Sequence, residues 1–204
     1  MGKPAELLNN LLQINEFRLQ NKFELGIALA IQAIEIYGES SELCELIAGL
    51  YFSKTTMPGE TGDNYVEAIR WINRAIALDN DNSRLHTTLG EYLYIGLLDY
   101  EKAISEYRYA IAIDQCNRDA YIGLSALYGP PESSVSLEEA INCLKHAIEL
   151  SKEDPYLHAR LGDLLIEQGD MAEAVKSFTR SLMCGKPLEN GYIDLIKSIT
   201  TKDE

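Results

Sequence analysis

The chain has 204 residues, 46% of them hydrophobic and 25% charged, which is the composition of a soluble domain or a short repeat array. Its formal net charge of −14 argues against nucleic acid and anionic membrane surfaces as partners and favours basic protein segments, unless the acidity serves solubility alone. The sequence contains no apolar run of about 20 residues that could cross a membrane and no signal-peptide core. Its four cysteines form no C-x-x-C pair, so free thiols and a cytoplasmic location are predicted.

Residues 7–40 are predicted to form two amphipathic helices, because apolar side chains recur at helical spacing. The second of these helices is predicted over residues 25–36, after Asn21-x-x-Glu24, which has the pattern of a capping box. The apolar face of the first helix is predicted to consist of Leu7, Leu8, Leu11, Leu12 and Phe17.

Residues 41–82 repeat this pair of helices with a longer connection. Ala48 lies on the first predicted helix and Ala68 on the second. The intervening residues 53–63 contain a proline and two glycines, so they are predicted to form an exposed loop.

Two further pairs of helices are predicted in residues 83–117 and 118–154. In the first pair, Asp99 is the expected cap of the second helix, and one extra residue falls near positions 96–98. In the second pair, Ser136-x-x-Glu139 is the expected capping box, after a loop that is three residues longer than in the last unit.

The last unit, residues 155–187, has the clearest pattern. Asp154 before Pro155 fits a helix cap followed by proline at the first helical position, and Gly169 precedes the capping box Asp170-x-x-Glu173. Gly162 and Ala174 stand where the two helices approach, and Phe178 supplies the bulk that fills the next gap. Beyond this unit, one face of a predicted helix over residues 188–201 is formed by Leu188, Tyr192, Leu195, Ile196 and Ile199.

The spacing of matched alanines shows that these units form a regular repeat. Ala68, Ala103, Ala140 and Ala174 are 35, 37 and 34 residues apart. Together with Leu161-Gly162, Ala174-x-x-x-Phe178 and Pro187, this period resembles the tetratricopeptide repeat, a pair of antiparallel helices in about 34 residues.

The resemblance implies an all-α protein, a right-handed α-solenoid in one domain over residues 1–204. Its units are expected at 7–40, 41–82, 83–117, 118–154 and 155–187. The helix at 188–201 is predicted to cap the stack, with a partner-binding tail as the alternative.

Motifs of enzymes are missing from the sequence, which contains no GxxxxGK[ST], GxGxxG, GxSxG or HExxH. We therefore predict that the protein is not an enzyme and holds no cofactor. His86 and His158 occupy the place of a tryptophan in the family's first helix, so packing between helices is predicted for both.

Two patterns are weak signals for a metal. Cys143 and His146 have the spacing of two ligands on one helical face, but no second pair lies near them in sequence. Residues 79–83 resemble the start of a calcium loop, yet Arg84 replaces the required glycine and Gly90 replaces the closing glutamate, so a turn with a helix cap is predicted. No metal site is predicted.

In the tetratricopeptide-repeat family, the first helix of each unit lines a concave groove. Carrying this over places twelve residues in the groove: Glu42, Glu45, Phe52, Arg84, Thr87, Glu91, Tyr94, Asp119, Ile122, Tyr156, Asp163 and Ile166. An acidic lining that also contains aromatic and aliphatic side chains suits a basic or amphipathic protein segment. A solvated acidic face that binds nothing is the alternative.

The predicted function is that of an adaptor or scaffold for protein–protein interaction. The alternative is a structural subunit, or a chaperone-like assembly factor, of a larger complex that uses surfaces outside the groove. Some relatives hold a C-terminal carboxylate with a clamp of Lys and Asn residues on successive first helices. The corresponding places here hold Glu45 and Gly49, Thr87 and Glu91, and Ile122 and Ala126, with only Arg84 and Arg160 positive, so this clamp is not expected. The long loops are interpreted as tolerated insertions or as a second contact edge formed by Met57, Pro58, Pro130 and Pro131.

Overall fold

The computed structural model describes residues 5–57, 62–151, 153–185 and 190–200, and these residues form eleven α-helices and no β-strand. The predicted all-α class is therefore confirmed. Pro58 and Pro187 lie outside the described residues. The helices are α1 (Ala5–Leu19), α2 (Phe23–Tyr37), α3 (Ser41–Lys54), α4 (Asp63–Leu78), α5 (Ser83–Tyr92), α6 (Tyr100–Ile113), α7 (Arg118–Ala126), α8 (Leu137–Leu150), α9 (Pro155–Gln168), α10 (Met171–Met183) and α11 (Asn190–Thr200).

Consecutive helices pack against each other in pairs, α1 with α2, α3 with α4, α5 with α6, α7 with α8 and α9 with α10. These pairs coincide with the five units expected from the repeat. The chain forms two compact units, residues 1–113 with the first three pairs and residues 114–204 with the last two pairs and α11. A single continuous domain over residues 1–204 remains a prediction.

The first helix is rotated relative to its predicted face. Leu11 and Ile14 are buried, whereas Leu8 and Leu12 are 52% and 63% exposed. The pattern was ambiguous because apolar side chains lie on more than one side of α1. Packing against α2 and α3 selects which side is buried, so Leu8, Leu12 and Leu19 face outward while Leu7 packs at the edge of the core.

Asn21 ends the first helix and does not cap the second one, so the predicted capping box is wrong. Asn21 has a left-handed backbone conformation with φ of 57°. The Lys22 N–H donates to Phe17 O at 2.8 Å, and the Asn21 N–H donates to Arg18 O at 3.1 Å, which is the Schellman pattern of a helix C-terminus. Asparagine tolerates this conformation better than most residues, and its side chain is then not available as a cap for α2.

The predicted caps of the later helices are confirmed. The Asp154 side chain accepts from the backbone N–H groups of Tyr156 and Leu157, with Pro155 at the first helical position. The side chains of Ser136 and Asp170 each accept from the backbone N–H three residues further on. These bonds satisfy helix N–H groups that otherwise lack partners, so each cap fixes the start of its helix.

The extra residue near positions 96–98 is accommodated by a π-helical turn, Leu93–Leu97, that continues α5. Leu98 then adopts a left-handed conformation with φ of 54°, and the Asp99 N–H donates to Leu93 O at 3.1 Å. A wider turn absorbs one residue without shifting the helix that follows. Asp99 can therefore cap α6, where its Oδ1 accepts from the Lys102 N–H at 3.3 Å.

Glycine on a first helix allows a large side chain of the second helix to approach. A Cβ at Gly162 would lie 2.6 Å from the ring of Phe178, and one at Gly90 would lie 2.9 Å from the ring of Tyr107. Phe178 is fully buried, and its ring also contacts the ring of Tyr192 on α11 at 4.5 Å between centroids. The last helix thus covers α10, as expected of a capping helix.

We expect Gly162→Ala to lower the free energy of unfolding by about 1–3 kcal/mol, because the added methyl group overlaps a buried ring that has no free space. Gly49→Ala is the matched control on another first helix. A Cβ there would meet only Tyr92 Oη, at 3.8 Å. Because alanine favours a helix over glycine, the control should be neutral or stabilising by up to about 1 kcal/mol. Urea unfolding followed by circular dichroism measures both; equal effects would contradict the close approach at Gly162.

Candidate functional site

Five of the predicted groove residues meet in one cleft of the first compact unit. This cleft has a volume of about 500 Å³ and lies between α1, α3 and α5. We call it the first-helix cleft. The predicted residues that line it are Glu42, Glu45, Phe52, Arg84 and Glu91.

Residues that the sequence reasoning missed also line the first-helix cleft. Asn15 and Arg18 come from α1, and Tyr92 comes from α5. The α1 residues were missed because the divergent first unit gave no register from which to place them. Arg18 changes the electrostatics of the cleft, since its guanidinium offsets part of the negative charge of the glutamates.

Arg84 is held by Glu45 through two parallel hydrogen bonds. The Nη1–Oε1 distance is 2.5 Å and the Nη2–Oε2 distance is 2.7 Å. This bidentate geometry is the strongest form of an arginine–carboxylate contact. The arginine that the sequence placed in the groove is therefore neutralised by its neighbour.

An aromatic cluster forms the apolar wall of the first-helix cleft. Phe52 stacks on Tyr92 with centroids 4.2 Å apart and an interplanar angle of 15°, and its other contact is edge-on with Tyr65 at 5.7 Å. Burial, with smaller contributions from Glu91 and Glu45, raises the pKa of Tyr92 above its ordinary value. Its hydroxyl is therefore neutral, and the half-buried Phe52 ring offers apolar surface next to the carboxylates.

Thr87 and Tyr94 do not line this cleft. The Thr87 hydroxyl donates to Ser83 O at 3.0 Å, within its own helix. Tyr94 lies on the π-helical turn. Its ring centroid is 6.1 Å from that of Tyr100, and the two ring planes are tilted by 52°. The π-helical turn changes the direction of side chains at this position, which a regular helical register could not predict.

The other predicted groove residues belong to the second compact unit. Asp119 is exposed and lies 3.6 Å from Arg118, measured between Oδ1 and Nη1. Arg118 also pairs with Asp154. Tyr156 is 67% exposed. The partly buried members of this set are Ile122 on α7 and Asp163 and Ile166 on α9.

The second long loop contributes to a separate cleft of about 460 Å³ in the same unit. Pro130 lines it together with Arg160 and Glu167, and the Tyr128 hydroxyl donates to Glu167. That hydrogen bond, with burial, raises the pKa of Tyr128. The loop thus packs against α9, and its role as a contact edge remains a prediction.

The buried histidines pack between helices as predicted, and one of them also makes polar contacts. His86 Nδ1 lies 2.7 Å from Glu106 Oε2, and its Nε2 lies 3.1 Å from Asn80 O.

Cys143 is buried, whereas the His146 ring is stacked on Tyr121 at 5.2 Å. Within residues 5–57, 62–151, 153–185 and 190–200, no group of three or more potential ligands could hold a metal ion. No helix in these ranges is long and apolar enough to cross a bilayer.

All four cysteines are free thiols, as predicted, and their environments differ. Cys44 is fully buried, and its Sγ donates to Glu39 Oε1 at 3.1 Å. Burial, assisted by this hydrogen bond, raises the pKa of the Cys44 thiol from 9.0 to about 12. The stability from this buried neutral thiol is therefore present below about pH 9 and is lost as the pH rises toward 12.

At about pH 8, we expect iodoacetamide to alkylate Cys116 in the native protein and to leave Cys44 unmodified, because only an exposed thiolate reacts. Cys116 is exposed at the turn before α7. Mass spectrometry of proteolytic peptides gives the extent of modification at each residue. In denaturant both cysteines should react, which controls for peptide detection; equal rates in the native protein would contradict the burial of Cys44.

Comparison with known proteins identifies the type of helical repeat. No curated protein matches the sequence, whereas the tetratricopeptide repeat family profile matches residues 155–183. PilF of Pseudomonas aeruginosa is similar in structure, with a TM-score of 0.78 and 16% identity over 97% of this chain and 86% of PilF. MamA from Desulfovibrio magneticus has a TM-score of 0.69 and 15% identity over 90% of this chain and 97% of MamA.

A third solved structure is YrrB, described as a TPR protein with an unusual peptide-binding site. Its TM-score is 0.62, with 15% identity over 86% of this chain and 84% of YrrB. At these identities the likeness concerns the fold. The chain is thus a helical repeat protein. Residues 155–183 are a tetratricopeptide repeat, and the chain has the tetratricopeptide-repeat fold.

Proposed function

We propose that this protein is an interaction scaffold that binds a basic or amphipathic protein segment in the first-helix cleft. Tetratricopeptide-repeat proteins are in general interaction modules without enzymatic activity. The observation that carries the proposal is the combination of Glu42 and Glu91 with the exposed part of the Phe52 ring in one cleft. Carboxylates attract lysine or arginine side chains, and the ring provides an apolar anchor beside them.

The pairing of Arg84 with Glu45 supports a cationic ligand over an anionic one. Because the Arg84 guanidinium already has both of its terminal nitrogens on Glu45, it offers little to an incoming carboxylate. Glu42 and Glu91 are the other two acidic residues that line the same cleft. YrrB, which shares the fold, is described as having an unusual peptide-binding site, and a peptide ligand is proposed here by analogy.

Selection of displayed random peptides on the purified protein tests the proposal even though the partner is unidentified. We expect the enriched peptides to carry several lysine or arginine residues and at least one aromatic or aliphatic anchor, and their binding to weaken with salt. Enrichment of acidic or uncharged peptides would overturn the proposal. So would enriched basic peptides that fail to compete with one another for a single site.

A second candidate function is that of a structural subunit or assembly factor. It is favoured by the outer face of α1, where Leu8 and Leu12 are exposed and Leu19 is 80% exposed. A leucine-rich helix face at the end of a repeat stack is suited to a permanent protein contact. Failure of peptide selection together with a stable complex that is lost on Leu12→Glu would favour this function. The cytoplasmic location and a chaperone-like role remain predictions.

A further inference from the structure

Another cleft has the opposite charge to the first-helix cleft. It lies in the second compact unit between α8, α9 and α10 and has a volume of about 320 Å³. We call it the α8–α10 cleft. Its charged lining consists of Lys145, Lys176 and Arg180, with Glu149 as the only carboxylate. On a chain with a net charge of −14, this is a local excess of positive charge.

Two of these cations have no counter-ion among the described residues. The other two charged residues of the lining have partners outside it. Glu149 Oε2 lies 3.5 Å from His146 Nδ1, and Lys176 Nζ donates to Glu173 Oε1 at 2.5 Å. Within the described part of the chain, the side chains of Lys145 and Arg180 make no hydrogen bond and no ion pair. Both side chains are therefore available to a ligand at the mouth of the cleft.

Ser177 adds a hydroxyl group to the lining of the cleft. It is only 8% exposed and lines the cleft, yet its hydroxyl has no hydrogen-bond partner among the described residues. Other hydroxyls on the second helices are satisfied, since Ser105 donates to Glu101 O at 2.9 Å and Thr179 donates to Val175 O at 2.8 Å. Among the described residues, Arg118 Nε is the buried side-chain polar atom that lacks a hydrogen-bond partner, so the Ser177 oxygen is reached from the cleft and can donate to a ligand oxygen there.

From this arrangement we propose that the α8–α10 cleft binds a phosphate monoester. A phosphate monoester carries a charge of about −1.5 to −2 at neutral pH and has three strong acceptor oxygens. Arg180 can donate two N–H groups to it, while Lys145 adds a point charge and Ser177 adds a hydroxyl donor. A carboxylate has one charge and two oxygens, so it matches this set of donors less well. The proposal is independent of the first-helix cleft, which lies in the other compact unit.

Titration of ¹⁵N-labelled protein with inorganic phosphate, at ionic strength held constant with chloride, tests the proposal. We expect saturable shifts of the backbone amide signals of Lys145, Ser177 and Arg180. Ser177→Ala/Arg180→Ala should weaken binding at least roughly tenfold, because it removes a hydroxyl and a guanidinium donor. The matched control is Ser105→Ala/Arg108→Ala, with the same residue types and spacing on α6, and it should leave binding unchanged.

A phosphoserine peptide and its unphosphorylated counterpart distinguish the source of the phosphate. Tighter binding of the phosphopeptide than of inorganic phosphate indicates a phosphorylated protein partner, and equal binding of both indicates a free phosphate ester. No localised shifts with about 10 mM of either probe, a range that covers weak millimolar binding, would overturn the proposal. Equal binding by the Ser177→Ala/Arg180→Ala variant would also overturn it.

Discussion

Phe178→Ala is expected to lower the free energy of unfolding by about 3–5 kcal/mol, the range for truncating a buried aromatic residue. Phe178 is fully buried at the crossing of α9 and α10 and also contacts Tyr192 on α11. Removing the ring leaves a cavity beside Gly162, because a glycine has no side chain that could fill the space. Urea unfolding monitored by circular dichroism measures the loss, and tyrosine fluorescence provides a second probe.

Tyr156→Ala is the matched control in the same compact unit. It also removes an aromatic ring from a helix, but Tyr156 is 67% exposed. Its effect should therefore stay near about 0.5 kcal/mol. Similar losses for Tyr156→Ala and Phe178→Ala would contradict a dominant role of packing at the crossing, because alanine has a higher helix propensity than either aromatic residue.

Reversing two charges in the first-helix cleft is expected to have the largest effect on binding. For Glu42→Lys/Glu91→Lys, we expect the affinity for a selected basic peptide to fall by about ten- to a hundredfold, because attraction at two positions is replaced by repulsion. Glu45 is left unchanged since its substitution would also release Arg84. Fluorescence anisotropy with a labelled peptide, at low and at high salt, measures the effect.

The control variant for this experiment is Glu35→Lys/Asp81→Lys. Both residues are exposed, both belong to the first compact unit, and neither lines the first-helix cleft. This control changes the net charge of the protein by the same amount as Glu42→Lys/Glu91→Lys. A loss of peptide affinity that reflects only the overall electrostatic field should therefore appear in both variants. Binding that is reduced equally by the two variants would contradict a localised site, and binding retained by both would place the ligand elsewhere.

Much of the fold follows from local sequence. The caps at Ser136, Asp154 and Asp170 depend on residues within three positions of each other, and the structure forms all three. Gly162 and Phe178 were placed correctly from the repeat pattern, because the pattern pairs a small residue on the first helix with a large one on the second, as Gly90 and Tyr107 also do. Short-range periodicity and capping are encoded locally, so they can be recognised without coordinates.

The candidate sites were less predictable. Glu45 and Arg84 were both placed in the groove, but the bidentate contact between them joins α3 to α5 and depends on how two repeats stack. Arg18 also lines this cleft, although it belongs to the divergent first unit, whose groove positions the repeat pattern did not indicate. In both cases the charge of the cleft depends on which side chains neutralise each other, and that cannot be obtained from a count of acidic positions.

The sequence by itself determined the all-α repeat architecture, the positions of the helix pairs and most of their caps, because these depend on residues close together in the chain. Only the tertiary structure decided which face of α1 is buried. It also brought Lys145, Ser177 and Arg180 from two helices to one cleft. Such arrangements arise from packing between segments distant in sequence, where many alternatives share the same local pattern and steric fit selects one of them.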